Sequence, residues 1–160
     1  MANTLFITLH ALAATVAFVA GALSAASGRY LGAYRAAMAV MLAALVPAVL
    51  VDWATTDATA RLVFAGLLVL GAVMVLRAEL AVRRPPACTG GPTAGYLEHI
   101  GFTLIALADG FVVVSAIRSG VPGWAVGVLA VGVVVVGHLA LQGAKRRLVH
   151  PSGVAPVAAA

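Results

Sequence analysis

The sequence predicts an all-α integral membrane bundle of five transmembrane helices, with the N-terminus outside and the C-terminus cytoplasmic. Three observations carry that expectation. Of the 160 residues, 63% are hydrophobic and 9% charged, where an ordinary soluble domain carries roughly 25% charged residues. A soluble fold of this size would lack the polar side chains to cover its surface, so lipid is the solvent that fits. The apolar residues also fall into five runs, at about 4–26, 36–53, 60–82, 96–117 and 124–143. Finally, that topology places Arg29, Arg35, Arg77, Arg83, Arg84, Lys145, Arg146 and Arg147 on the inner side and only Arg61 and Arg118 on the outer side. Eight against two is a strong positive-inside bias.

The first run, TLFITLHALAATVAFVAGALSAA, lacks the basic n-region and the shorter apolar core of a secretory signal, so it reads as a retained span. Leu5, Leu9, Leu12, Val16, Val19 and Leu23 step by three and four and form a bulky stripe suited to lipid. Asn3, His10, Ala14, Ala17, Gly21 and Ser24 form a second stripe, small and polar, suited to close helix contact. The basic connection Ser27 to Arg35 follows, and its Arg29, Tyr30, Tyr34 and Arg35 read as interfacial anchors.

Pro47 lies within the second run and is expected to kink the helix without breaking it. An acidic turn, DWATTDAT, offers Asp57 or Thr59 as the cap of the third helix. Arg83, Arg84 and a Pro-Pro pair end the third run, and RRPPACTGGPTAG is the longest connection. The fourth run, YLEHIGFTLIALADGFVVVSAI, carries Glu98, His99 and Asp109, and the turn RSGVPG leads from it into the fifth. In the fifth run Gly123 and Gly127 form a small-xxx-small pair, and Gly132 and Gly137 thin the helix further, which suggests backbone contact with a neighbour. The tail 149–160 lacks charge and periodicity and is expected to be disordered.

Two kinds of chemistry are conceivable within the spans. Asp109 sits about 12 Å and His10 about 9 Å from the outer ends of their helices at ~1.5 Å per residue. An ionisable group at that depth takes up a proton or finds a partner, so His10 and Asp109 are candidates for a proton- or small-solute-handling pair. The plainer account is a structural hydrogen bond between helices. His99 and His138 fall in an inner layer with Arg35, Arg77, Glu79 and Glu98. Two imidazoles at similar depth are the ligand set of a b-type haem, with Lys145 near a propionate, in an electron-transfer protein. The inner charges otherwise read as interfacial: Arg77 snorkels, and Glu79 pairs with Arg35 or Arg84.

Other classes are disfavoured. The net charge of +5 and pI near 10.4 do not indicate nucleic acid, because the basic residues stand at the ends of apolar runs. Those residues would attract anionic lipid headgroups instead. No metal-spaced histidine and carboxylate set, phosphate-binding glycine loop or nucleophile elbow is present, and the single Cys88 allows no intramolecular disulfide. Nine of the ten basic residues are arginine, and Ala, Val and Gly dominate, which suits a GC-rich bacterial genome.

The segments LHALAATVAFVAG and GRYLGAYR, each leading into or along a span, resemble a group of uncharacterised bacterial multi-pass membrane proteins. In that group a histidine begins the first span, and a His-Arg-x-x-Gly-Arg-like segment precedes the second. Here Gly32, Tyr34 and Arg35 are kept and the loop has no histidine. EHIGFTLIALADGF has a similar look. The resemblance implies a membrane bundle and assigns no activity. The expected role is therefore a non-catalytic accessory or structural subunit of a bacterial inner-membrane complex, in contact with lipid and with other subunits or copies of itself.

Overall fold

A computed structural model describes residues 2–51, 53–84, 86 and 92–149. Cys88 and the tail from 150 onward lie outside the described residues, as does the side chain of Thr59. The described residues form five α-helices: α1 (Ala2–Ser27), α2 (Leu31–Val51), α3 (Ala58–Val82), α4 (Ala94–Arg118) and α5 (Gly123–Val149). All five are long and apolar enough to cross a membrane, and together they make an all-helical bundle compatible with a multi-pass membrane protein.

The helices outrun their apolar cores at nearly every end because polar residues can continue or cap a helix where water is available. α5 continues six residues past Gly143 through Lys145, Arg146 and Arg147 to Val149, where cations favour the helix C-terminus. α2 begins at Leu31, so the α1–α2 connection shrinks to Gly28, Arg29 and Tyr30. Gly28 makes this tight reversal possible. Its φ of +68° is left-handed, and a Cβ there would stand 2.9 Å from Cδ of Pro86. α2 passes Pro47 without interruption. Asp57 caps α3, its Oδ1 accepting the backbone N–H of Ala60 at 3.0 Å. Thr93 caps α4 by accepting the N–H of Tyr96 at 3.3 Å.

α1 packs on α2 and α4, and α3 packs on the same two helices, so α1 to α4 close a four-helix ring. α5 lies outside that ring, chiefly against α4. Both predicted stripes of α1 stand where expected: Leu5, Leu9, Leu12, Val16, Val19 and Leu23 are all exposed, while Ala14, Ala17, Gly21 and Ser24 are buried. The core that results sets Ala13, Ala14, Ala17 and Ala20 of α1 against Ala37, Met38 and Met41 of α2, and continues through Met74 and Ala78 of α3 to Tyr96 and Ile100 of α4. Small side chains let the backbones approach, and dispersion between the closely packed atoms then supplies attraction. Thr8 and Thr15 are exposed on α1, but each hydroxyl donates to the carbonyl four residues back, at 2.8 and 2.9 Å, so neither is left unpaired.

Tyr34 departs from its expected place as an interfacial anchor. It is fully buried, whereas its neighbour Tyr30 is 46% exposed. The Tyr34 hydroxyl donates to Oγ1 of Thr103, which in turn donates to the Ile100 carbonyl at 2.8 Å. Tyr96, also fully buried, donates to the Ser24 carbonyl at 2.6 Å. These two phenols tie α2 and α1 to α4. Gly21 makes room for the first of them, since a Cβ there would lie 3.0 Å from the Tyr34 ring.

Candidate functional site

The connections α1–α2 and α3–α4 and the C-terminus of α5 gather at one end of the bundle, with Arg29, Arg35, Arg83, Arg84, Lys145, Arg146 and Arg147; this is the basic end. From there a groove of about 390 Å³ runs between α3, α4 and α5. Leu70 and Arg77 of α3 line it, with Glu98, Phe102, Ile105, Ala106 and Asp109 of α4 and Val134, His138, Leu141, Gln142 and Lys145 of α5. The α4 residues recur at helical spacing and so occupy one face.

Two glycines set the register. A Cβ on Gly137 would come within 2.6 Å of Cγ1 of Ile105, and one on Gly101 within 2.5 Å of Cδ1 of Leu141. Each glycine is thus the hole for a knob on the facing helix, and the pair aligns α4 and α5 antiparallel. Gly123, Gly127 and Gly132 meet nothing within 4 Å, so of the four α5 glycines expected to seat a neighbour Gly137 alone does so. The same register brings Lys145 onto Glu98, an ion pair between side chains that are 18% and 55% exposed. Further in, the Gln142 amide nitrogen donates to Nε2 of His138 at 3.3 Å. The Arg77 guanidinium lies 4.4 Å from the centre of the Phe102 ring. A double-mutant cycle of Glu98→Gln and Lys145→Met, read by thermal unfolding in detergent, is expected to give a coupling of about 1 kcal/mol or less, because one partner is solvated.

Asp109 lies at the inner limit of this groove. Its Oδ1 is enclosed and has no hydrogen-bond partner among the described residues. His10 does not provide one. Its Nδ1 instead donates to the Met41 carbonyl at 3.0 Å, joining α1 to α2. The axial register of α1 explains the separation. Phe18 meets Phe111 edge to face at 6.1 Å, and His10 lies eight residues, about 12 Å, further from the basic end than Phe18. Sequence depth measured from helix ends could not show this offset.

The remaining candidates divide. His138 lines the groove and His99 does not, so the two imidazoles are not brought to one cavity. His99 is half-buried, with an enclosed Nδ1 that has no partner among the described residues. Lys145, expected near a propionate, is held by Glu98. Glu79 pairs with Arg35 at 3.7 Å, as expected, and with Arg83 at 3.4 Å in place of Arg84. No group of three or more His, Cys, Asp or Glu side chains able to hold a metal ion occurs among the described residues. The Glu98–Lys145 and Asp109–His138 groupings escaped the sequence reading because each depends on the α4–α5 register; the signal available was the common periodicity of 98, 102, 105 and 109. No family model matches the chain, and no curated protein or solved structure matches it either.

Proposed function

We propose that the chain is a non-catalytic integral membrane protein, an accessory or structural subunit of a bacterial inner-membrane complex, with its N-terminus outside and its C-terminus cytoplasmic. The observation that carries this reading is α5. None of its residues is buried, although it is the longest helix, and it stands outside the ring formed by α1 to α4. Gly123, Gly127 and Gly132 leave its backbone open to close approach, the kind of surface that seats a neighbouring helix in lipid. The basic end is the cytoplasmic one by the positive-inside bias.

Photocrosslinkers placed singly at Val131 on α5 and at Leu62 on α3, both exposed, test the docking role in native membranes. Val131 is expected to capture another polypeptide or a second copy of the chain, and Leu62 only lipid. Lipid adducts from both positions would end the reading. For orientation, an impermeant thiol reagent on intact cells is expected to leave Cys88 unlabelled, while the same reagent after permeabilisation labels it. Ready labelling of intact cells would reverse the topology.

A further inference from the structure

We propose that Asp109 is a proton-binding site within the membrane, filled and emptied from the basic end through the α3–α4–α5 groove, with His138 as the group that passes the proton. The inference is independent of the accessory role. It rests on three features. Oδ1 of Asp109 is enclosed without a partner, and an unpaired carboxylate is costly in such surroundings while the neutral acid is tolerated. The groove that reaches Asp109 also contains His138, Gln142, Glu98 and Lys145, a polar line starting at the basic end. And the lining extends from Glu98 and Lys145 at the basic end as far as Asp109, Val134 and Leu70, which makes the basic end the side of access we assign.

The register supplies the geometry. With Gly137 opposite Ile105 and Gly101 opposite Leu141, Asp109 is level with Val133 and His138 with Leu104. His138 therefore lies five residues nearer the basic end, about 7.5 Å along the axis. Side chains lean toward the N-terminus of their own helix. In this antiparallel pair, Asp109 leans toward the basic end and His138 away from it, so they lean toward each other across the groove that both line. The relay we propose uses water in that groove as the link between them.

Because Gln142 donates to Nε2 of His138, the imidazole hydrogen is on Nδ1. When water from the mouth of the groove protonates Nε2 in place of the Gln142 contact, Nδ1–H can pass its proton to the Asp109 carboxylate. Return of a proton from Asp109 to Nδ1 and loss of the Nε2 proton to water reverse the step, and no other bond changes.

The charged and titratable groups on this groove are Arg77 from α3, Glu98 from α4, and His138 and Lys145 from α5. Arg77 is held over Phe102 and Lys145 by Glu98, both nearer the basic end than Asp109. His10, the only titratable side chain of α1, is bonded to Met41. Among the described residues, no fixed cation thus replaces the proton at Asp109.

A membrane-permeant carbodiimide, which adds to a protonated carboxyl, tests the proposal on the full chain in sealed vesicles of uniform orientation, read by peptide mass. Labelling of the Asp109 peptide is expected to fall several-fold when the basic-end side alone is made alkaline and to ignore the pH of the other side. Asp109→Asn is expected to lose the adduct. After a pH jump on the basic-end side, His138→Ala is expected to delay the response of Asp109 several-fold. Labelling that follows the opposite side, that ignores both sides, or that never occurs in the wild-type protein would overturn the site; an unchanged response in a folded His138→Ala protein would overturn the role of His138.

Discussion

Replacing Tyr34 with alanine is expected to be the most damaging single change in the ring of four helices. The phenol is fully enclosed between α1, α2 and α4, against Gly21 and Thr103. Removing a ring of that size leaves a cavity that packed alanines cannot fill, at a cost of about 3–5 kcal/mol by analogy with buried aromatic truncations. Tyr34→Phe separates packing from hydrogen bonding. Thr103 keeps its own bond to the Ile100 carbonyl, so loss of the hydroxyl strands no donor, and the expected cost is only about 1 kcal/mol. Thermal unfolding of both variants in one detergent checks the pair. Equal losses would mean that the hydroxyl, and not the ring, holds the three helices.

Gly137→Val is expected to loosen α5 while leaving the ring of α1 to α4 in place. Even the first carbon of a side chain at Gly137 would stand 2.6, 3.0 and 3.2 Å from three carbons of Ile105. Ile105 is branched at Cβ and has little freedom to retreat on a helix. Overpacking of this kind costs about 1–3 kcal/mol, and α5 has little else to hold it, since none of its residues is buried. Gly127→Val, on the same helix with nothing within 4 Å, is the control and is expected to be near neutral. Limited proteolysis within the turn at Gly120 should be faster for Gly137→Val only. If Gly127→Val were the harmful one in native membranes, the open part of α5 would be covered there, in keeping with the accessory role.

The two substitutions probe different links between sequence and structure. The faces of α1 were legible because a bulky exposed stripe and a small-residue stripe have different compositions at a helical period. Tyr34 was not. Tyrosine beside arginine at the end of an apolar run is the pattern of an interfacial anchor, and only the neighbouring helices show that Gly21 and Thr103 make an interior place for the ring. Tyr30 carries the same local signal and is half-exposed. Position along one helix cannot distinguish them.

The polar residues of α4 follow the same division. That Asp109 lies deep in a span and demands an account can be read from the sequence, since hydropathy and helix rise fix approximate depth. Its surroundings cannot. The axial register of α1 against α4 keeps His10 on Met41, and two glycine holes between α4 and α5 put His138 in the groove that Asp109 also lines. Sequence by itself determined five helices long and apolar enough to cross a membrane and the inward face of α1, because each follows from a property of a single helix. Tertiary structure decided which polar groups meet along α4, because register and helix order arise from knob-and-hole contacts between residues far apart in the chain, and the periodicity of one helix marks a face without naming its partner.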